Sequence, residues 1–100
     1  MTYTIVYTAQ ARRAIQNAYD WLFERTVQHA PEWHKRLVKS IHSLEIMPGR
    51  CPLAPENEGS DEEVRHLIVG DRIHAYRIIY TIRGEDVVIY NVVHGARIHY

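Results

Sequence analysis

The chain has 100 residues, of which 46% are hydrophobic and 24% are charged, and its formal net charge is zero. This length predicts one domain over residues 1–100, and the apolar content excludes wholesale disorder. No apolar segment reaches the ~20 residues that cross a bilayer, no basic secretory start is present, and the single Cys51 excludes an internal disulfide. We therefore expect a cytoplasmic protein without membrane contact.

The first half of the chain predicts a strand followed by two helices. Residues 2–7 are rich in β-branched and aromatic types, and Thr8 is a suitable helix N-cap. Helical spacing then defines one apolar stripe, formed by Ala11, Ile15, Ala18, Tyr19, Leu22 and Thr26. A second helix is expected to begin at Pro31, where a missing N–H is harmless, and to end before residues 47–49. The short link between them predicts an antiparallel helical hairpin.

Residues 48–63 predict a long surface loop that contains a strongly acidic segment. Segment 56–63 carries five acidic and no basic side chains. Residues 1–55 carry seven basic against four acidic side chains, and residues 64–100 carry five against three, so the body of the protein has a net charge of +5. A body this mildly basic does not fit a typical nucleic-acid-binding protein. We expect the acidic segment to be a solvated connector.

The last third of the chain predicts strands over residues 64–69, 73–82 and 87–94, with a hairpin turn at residues 83–86. The middle strand is apolar at nearly every position, which is typical of a central strand covered on both faces. The order is therefore β-α-α-β-β-β. An antiparallel sheet with the helical hairpin on one face satisfies this order, so the predicted fold class is α+β.

Arg77 is the one formally charged residue in the predicted middle strand. Side chains alternate across a strand, so Arg77 shares its face with Ile79 and lies opposite a bulkier set, formed by Tyr76, Ile78, Tyr80 and Ile82. The bulkier set is expected to meet the helices. That arrangement leaves Arg77 on an uncovered face, which is concave if the sheet twists strongly.

Two interpretations of Arg77 remain open from the sequence. If Arg65 and Arg97 converge with it, three arginines would form a groove for phosphates or an acidic peptide. Alternatively, Arg77 is a structural residue paired with a carboxylate such as Asp71 or Glu85, because an unpaired charge inside a sheet is costly.

Histidines near the end of the chain are the second group of candidates. His94 or His99, with Tyr100, could act as acid or base in RNA cleavage by the 2′-hydroxyl, which also needs cations at the phosphorus. The alternative is that they are ordinary polar residues at a strand end. No HExxH-like spacing or glycine-rich phosphate loop is present, so neither a metal nor a cofactor is predicted.

Several segments together carry a resemblance to a known family. They are Ser43-Leu44-Glu45 with Pro48-Gly49-Arg50, Val64-Arg65-His66-Leu67, Tyr76-Arg77-Ile78-Ile79-Tyr80, Val87-Val88-Ile89 and His94-Gly95-Ala96-Arg97. In this order and spacing they resemble the RelE/ParE superfamily of bacterial toxin–antitoxin toxins, over nearly the whole chain. The resemblance implies a small α+β toxin that inhibits growth and is held by a cognate antitoxin in a toxin–antitoxin hetero-oligomer.

The resemblance implies alternative targets. ParE-like members poison DNA gyrase without catalysis, whereas RelE-like members cleave mRNA in the ribosomal A site. The lack of lysines on the strands and the ending His94-Gly95-Ala96-Arg97 favour the ParE-like branch. A RelE-like activity would make the catalytic set Arg65, Arg77, His94, His99 and Tyr100. Binding of a protein partner would instead use Arg65, Tyr76, Arg77, Arg97, Trp21 and Trp33. An inactive toxin that only binds its antitoxin is the third alternative.

Overall fold

A computed structural model describes residues 1–70 and 75–94. The elements follow the predicted order: β1 (Thr4–Tyr7), α1 (Ala9–Arg25), α2 (His29–His42), β2 (Val64–Val69), β3 (Tyr76–Arg83) and β4 (Asp86–His94). Three short 3₁₀ turns lie between α2 and β2, at Ser43–Glu45, Pro48–Arg50 and Pro55–Asn57. No helix within the described residues is long and apolar enough to cross a membrane.

The four strands form one sheet in the order β1-β4-β3-β2, which confirms the α+β class. The sheet is mixed, because β1 pairs in parallel with β4 while the other pairs are antiparallel. Our expectation of a purely antiparallel sheet was therefore wrong. The helical hairpin brings the chain back to the end of the sheet where β1 starts, and there Tyr3 N donates to Glu45 O at 2.8 Å. Strand β2 starts from this end of the sheet. Because β3 runs antiparallel to β2 and β4 runs antiparallel to β3, β4 has the same direction as β1.

The helices pack on the face of the sheet that the sequence predicted. Tyr76, Ile78 and Tyr80 of β3 are buried in the main core, against residues of α2 and the following turn, namely Leu37, Ile41 and Leu44. The Tyr80 hydroxyl donates to the carbonyl of the buried Pro48. This bond ties the segment after α2 to the centre of the sheet.

Local chemistry explains the start of α1 and is compatible with the start of α2. Thr8 is the N-cap of α1, as predicted, and its Oγ1 accepts from Ala11 N at 3.0 Å. Helix α2 begins at His29, two residues before the predicted start at Pro31. Pro31 is tolerated there because N–H groups in a first helical turn have no intrahelical acceptor.

The second face of the sheet is partly covered by residues 54–63, which we call the acidic strap. Ala54 is buried in a small apolar cluster with Val64 and Ile79. Further along the strap, the Thr81 hydroxyl donates to Glu63 O at 2.9 Å. The expected solvated connector is instead a segment laid against the sheet.

Candidate functional site

Arg77 lies under the acidic strap and is 3% exposed. Its guanidinium forms a forked ion pair with Glu56, in which Nη1 donates to Oε1 at 2.9 Å and Nη2 donates to Oε2 at 2.6 Å. Nη1 also donates to Nδ1 of His66 at 3.0 Å. A two-point carboxylate contact of this kind is among the strongest hydrogen-bonded arrangements available to arginine. The expectation that Arg77 lies on an uncovered face was therefore wrong. Its carboxylate partner is Glu56 and not Glu85, while Asp71 lies outside the described residues.

The charges in this cluster alter each other's titration. The hydrogen bond from Arg77 lowers the pKa of Glu56, which therefore stays ionised at neutral pH. Burial lowers the pKa of His66, and the adjacent Arg77 charge lowers it further. His66 is thus held as a neutral acceptor for the guanidinium. In this cluster one carboxylate neutralises one buried cation.

A second ion pair holds the other end of the acidic strap. Arg83 Nε donates to Glu62 Oε2 at 2.8 Å, and Arg83 Nη2 donates to Glu62 Oε1 at 2.9 Å. The Tyr90 hydroxyl donates to Glu62 Oε1 at 2.6 Å. The hydrogen bond from Arg83 and that from Tyr90 together lower the pKa of Glu62 to about 2. Two arginines of β3 therefore each bind one glutamate of the strap.

Arg65 lies on the opposite face of the sheet from Arg77. It is directly paired with Tyr80 across the β2–β3 ladder, and directly paired residues project to the same side. Tyr80 is in the helix-covered core, so Arg65 is on the helix side, where its Nη1 donates to Cys51 O at 2.6 Å. The predicted convergence of Arg65 with Arg77 is wrong, because Arg65 shares its face with Tyr80, and Arg77, three positions before Tyr80 in the same strand, projects to the other face.

His94 also lies on the helix side, opposite Arg77. Its imidazole makes an edge contact with the Tyr76 ring, with the ring centroids 5.0 Å apart. Both rings line a groove between α1 and the end of β4, together with Trp21. Trp21 is 52% exposed and carries the guanidinium of Arg25 over its ring at 3.9 Å from the centroid. This groove is an aromatic surface that a partner could contact.

Of the remaining predicted site residues, one packs against the core and three lie outside the described residues. Trp33 is half-buried and packs on Tyr76 with the ring centroids 5.0 Å apart. Arg97, His99 and Tyr100 lie in residues 95–100, outside the described residues, so their roles stay predictions. Among residues 1–70 and 75–94, no group of three His, Cys, Asp or Glu side chains could hold a metal ion.

Sequence reasoning missed the two glutamates that bind the sheet, Glu56 and Glu62. The signal was present in the segregation of charge, because a segment with a net charge of −5 was set against a body of +5. Such a split favours contact between the two parts. What the sequence could not provide was the pairing of each carboxylate with one arginine, which depends on the path of the strap across the sheet.

Comparison with known proteins identifies relatives of this chain. The profile of the family described as "ParE toxin of type II toxin-antitoxin system, parDE" matches residues 5–99. Comparison with curated protein sequences finds no significant match.

Two solved structures have the same fold as this chain. A chain of the chromosomal ParDE toxin–antitoxin system from P. aeruginosa superposes with a TM-score of 0.75 at 13% identity, over 93% of this chain and 96% of that one. A chain of the RelBE2 toxin–antitoxin complex from Mycobacterium tuberculosis superposes with a TM-score of 0.52 at 24% identity, over 94% of this chain and 99% of that one.

Proposed function

Because the chain belongs to the ParE toxin family of type II toxin–antitoxin systems, we propose that it inhibits growth by poisoning DNA gyrase and does so without catalysing a reaction. A cognate antitoxin protein binds the toxin and neutralises it. The toxin acts in the cytoplasm, where gyrase and its DNA are found.

The observation that carries this proposal is the separation of the candidate catalytic residues. RNA cleavage by the 2′-hydroxyl needs a base, an acid and cations gathered around one phosphorus atom. Arg77 lies on the strap side of the sheet, bound to Glu56, whereas Arg65 and His94 lie on the helix side. A single phosphate cannot contact side chains on both faces of a sheet. The described residues therefore favour a protein-binding toxin over a nuclease.

The groove beside Trp21 is the surface we assign to a protein partner. Aromatic residues with a nearby arginine are enriched at the centres of protein interfaces. Trp21 supplies an exposed ring with Arg25 stacked on it, and Tyr76 and His94 form the adjoining wall. Both superposed chains come from toxin–antitoxin systems, which supports an antitoxin as one occupant.

The proposal is tested by pulse labelling of DNA and protein synthesis in cells, minutes after this chain is induced without its antitoxin. We expect DNA synthesis to stop first, and purified toxin to trap cleaved DNA on gyrase in a cleavage assay. An early stop in translation, with cleaved mRNA at ribosomes, would instead establish the RelE-like activity. Normal labelling of both would mean that the chain only binds its antitoxin.

A pair of variants separates the nuclease from the gyrase inhibitor. His94→Gln removes a candidate acid or base but keeps a polar side chain of similar size, so we expect growth inhibition to persist. Trp21→Ala removes an exposed partner-binding ring without opening the core, and we expect at least tenfold weaker binding of a partner that docks in this groove. Loss of all toxicity in His94→Gln, with the protein folded and partner binding unchanged, would contradict the proposal.

A further inference from the structure

The acidic strap contacts the sheet as a bound acidic peptide would. Each of its two sheet-facing glutamates forms a forked contact with an arginine of β3, Glu56 with Arg77 and Glu62 with Arg83. Backbone groups of the strap add bonds of the kind a docked peptide makes. Ala54 N donates to Val64 O at 2.8 Å, and Glu63 O accepts from the hydroxyl of Thr81 at 2.9 Å.

The face beneath the acidic strap needs an acidic occupant. Arg77 is a buried cation whose Nη atoms bond to Glu56 and His66, while its buried Nε has no hydrogen-bond partner in the described structure. A buried cation without a carboxylate is strongly destabilising. A carboxylate against this face therefore stabilises the folded protein. The stabilisation does not depend on the carboxylate coming from residue 56.

The attachment of the acidic strap is mostly polar. Its buried apolar side chain is Ala54, while Glu58 and Asp61 at its outer bend are exposed and form no ion pair within the described residues. Gly59 has a φ of +81°, so the bend is built on a conformation that suits glycine. Lifting the strap would expose the small apolar cluster of Ala54 with Val64 and Ile79. Its polar hold on the sheet consists of the two arginine–glutamate contacts, the backbone bonds described above and a bond from Val64 N to Asn57 Oδ1 at 2.8 Å.

We propose that the strap side of the sheet is a docking face for an acidic peptide segment of a protein partner, and that the acidic strap occupies this face within the chain until the partner displaces it. Arg77 and Arg83 each bind one carboxylate of the peptide, and the Thr81 hydroxyl donates to a peptide carbonyl. The occupant seen in the structure is itself a peptide that supplies two carboxylates and a carbonyl, which favours a polypeptide as the ligand. The inference concerns the chain's own surface and holds whichever cellular target the toxin has.

The acidic strap is part of the chain and competes with any added peptide, and this competition determines how the docking face must be tested. A covalently linked segment competes at an effective concentration on the order of millimolar, so a free peptide at micromolar concentration should not displace it from the native chain. The release variant Glu56→Gln/Glu62→Gln removes both carboxylates. The matched control Glu58→Gln/Asp61→Asn makes the same change in net charge in the same segment and leaves both arginine contacts in place.

The probe is a fluorescein-labelled, capped peptide with the sequence of residues 54–63, measured by fluorescence anisotropy. We expect the release variant to bind it at least tenfold more tightly than either the native chain or the control, with an affinity that falls as salt is raised. A version of the peptide with Gln in place of Glu at residues 56 and 62 should not bind. Equal binding by release variant and control, or equal binding of the two peptides, would overturn the proposal.

Two further measurements cover the cases in which the release variant does not fold or the face binds phosphate groups. If the release variant does not fold, Glu56→Gln alone keeps the Glu62–Arg83 contact. Saturating acidic peptide should then raise its melting temperature by at least about 5 °C, while the peptide with Gln at residues 56 and 62 leaves it unchanged. No rise would overturn the proposal. Binding of a labelled single-stranded RNA by the release variant, without binding of the acidic peptide, would show a phosphate-binding face and also overturn it.

Discussion

Removing the carboxylate of Glu56 should destabilise the fold more than removing its partner's charge. A broken buried ion pair costs about 3–5 kcal/mol, whereas an exposed pair is worth about 0–1 kcal/mol. The side chain of Arg77 is 4% exposed and that of Glu56 is 42% exposed. Glu56→Ala leaves the buried Arg77 guanidinium without a carboxylate partner, so we expect the free energy of unfolding to fall by about 2–3 kcal/mol. Arg77→Met leaves a carboxylate that can turn toward water, and we expect a loss of about 1 kcal/mol.

The assay is urea unfolding followed by far-ultraviolet circular dichroism. With an m-value of about 2 kcal/mol per molar urea, Glu56→Ala should lower the unfolding midpoint by about 1–1.5 M. The matched control is Glu58→Ala, which removes an exposed carboxylate of the same strap and should change stability by less than about 0.5 kcal/mol.

Two outcomes would refute this reasoning. Equal losses for Glu56→Ala and Glu58→Ala would mean that the forked contact with Arg77 adds nothing to the folded state. A larger loss for Arg77→Met than for Glu56→Ala would mean that the cation is not the group that needs its partner. Either result would also weaken the proposal that the face requires an acidic occupant.

Three further outcomes follow from single contacts. Tyr80→Phe leaves the buried carbonyl of Pro48 without its donor, so urea unfolding should show a loss of about 1–2 kcal/mol. Thr8→Ala removes the N-cap of α1 and should lower the unfolding free energy by about 1 kcal/mol. The pKa of Glu62 is lowered from 4.5 to about 2 by its hydrogen bonds from Arg83 and Tyr90, so its contribution is present above pH 4.5 and lost as pH falls toward 2. Glu62→Gln should flatten that part of a stability–pH curve, and an unchanged curve would contradict the contact.

Most of the fold follows from local patterns in the sequence. The alternation around Arg77 correctly placed Tyr76, Ile78 and Tyr80 against the helices, because the period of a strand is two. Thr8 was identified as a helix cap because its hydroxyl can accept from a first-turn N–H. These inferences needed only neighbours in sequence.

Apart from the two-residue error at the start of α2, the errors involve contacts between residues far apart in the chain. The parallel pairing of β1 with β4 depends on where the helical hairpin returns the chain, and no local pattern encodes that position. The opposite faces of Arg65 and Arg77 depend on the register between β2 and β3, in which a shift of one residue would reverse the result. The partner of Arg77 depends on the path of a loop 21 positions earlier in the chain.

The parallel pair of β1 and β4 also sets the order of events during synthesis. Thr4 pairs with Asp86, so β1 cannot pair with β4 until residues 82 positions later in the chain have been synthesised. At about 5–20 residues per second, the ribosome takes roughly 4–16 s to add those positions. During that interval β4 is incomplete and β1 has no strand to pair with, so the helical hairpin has only part of the sheet to pack on. A newly made chain therefore reaches its harmful form only after β4 has emerged, which gives a partner already present in the cell a time window in which to meet it.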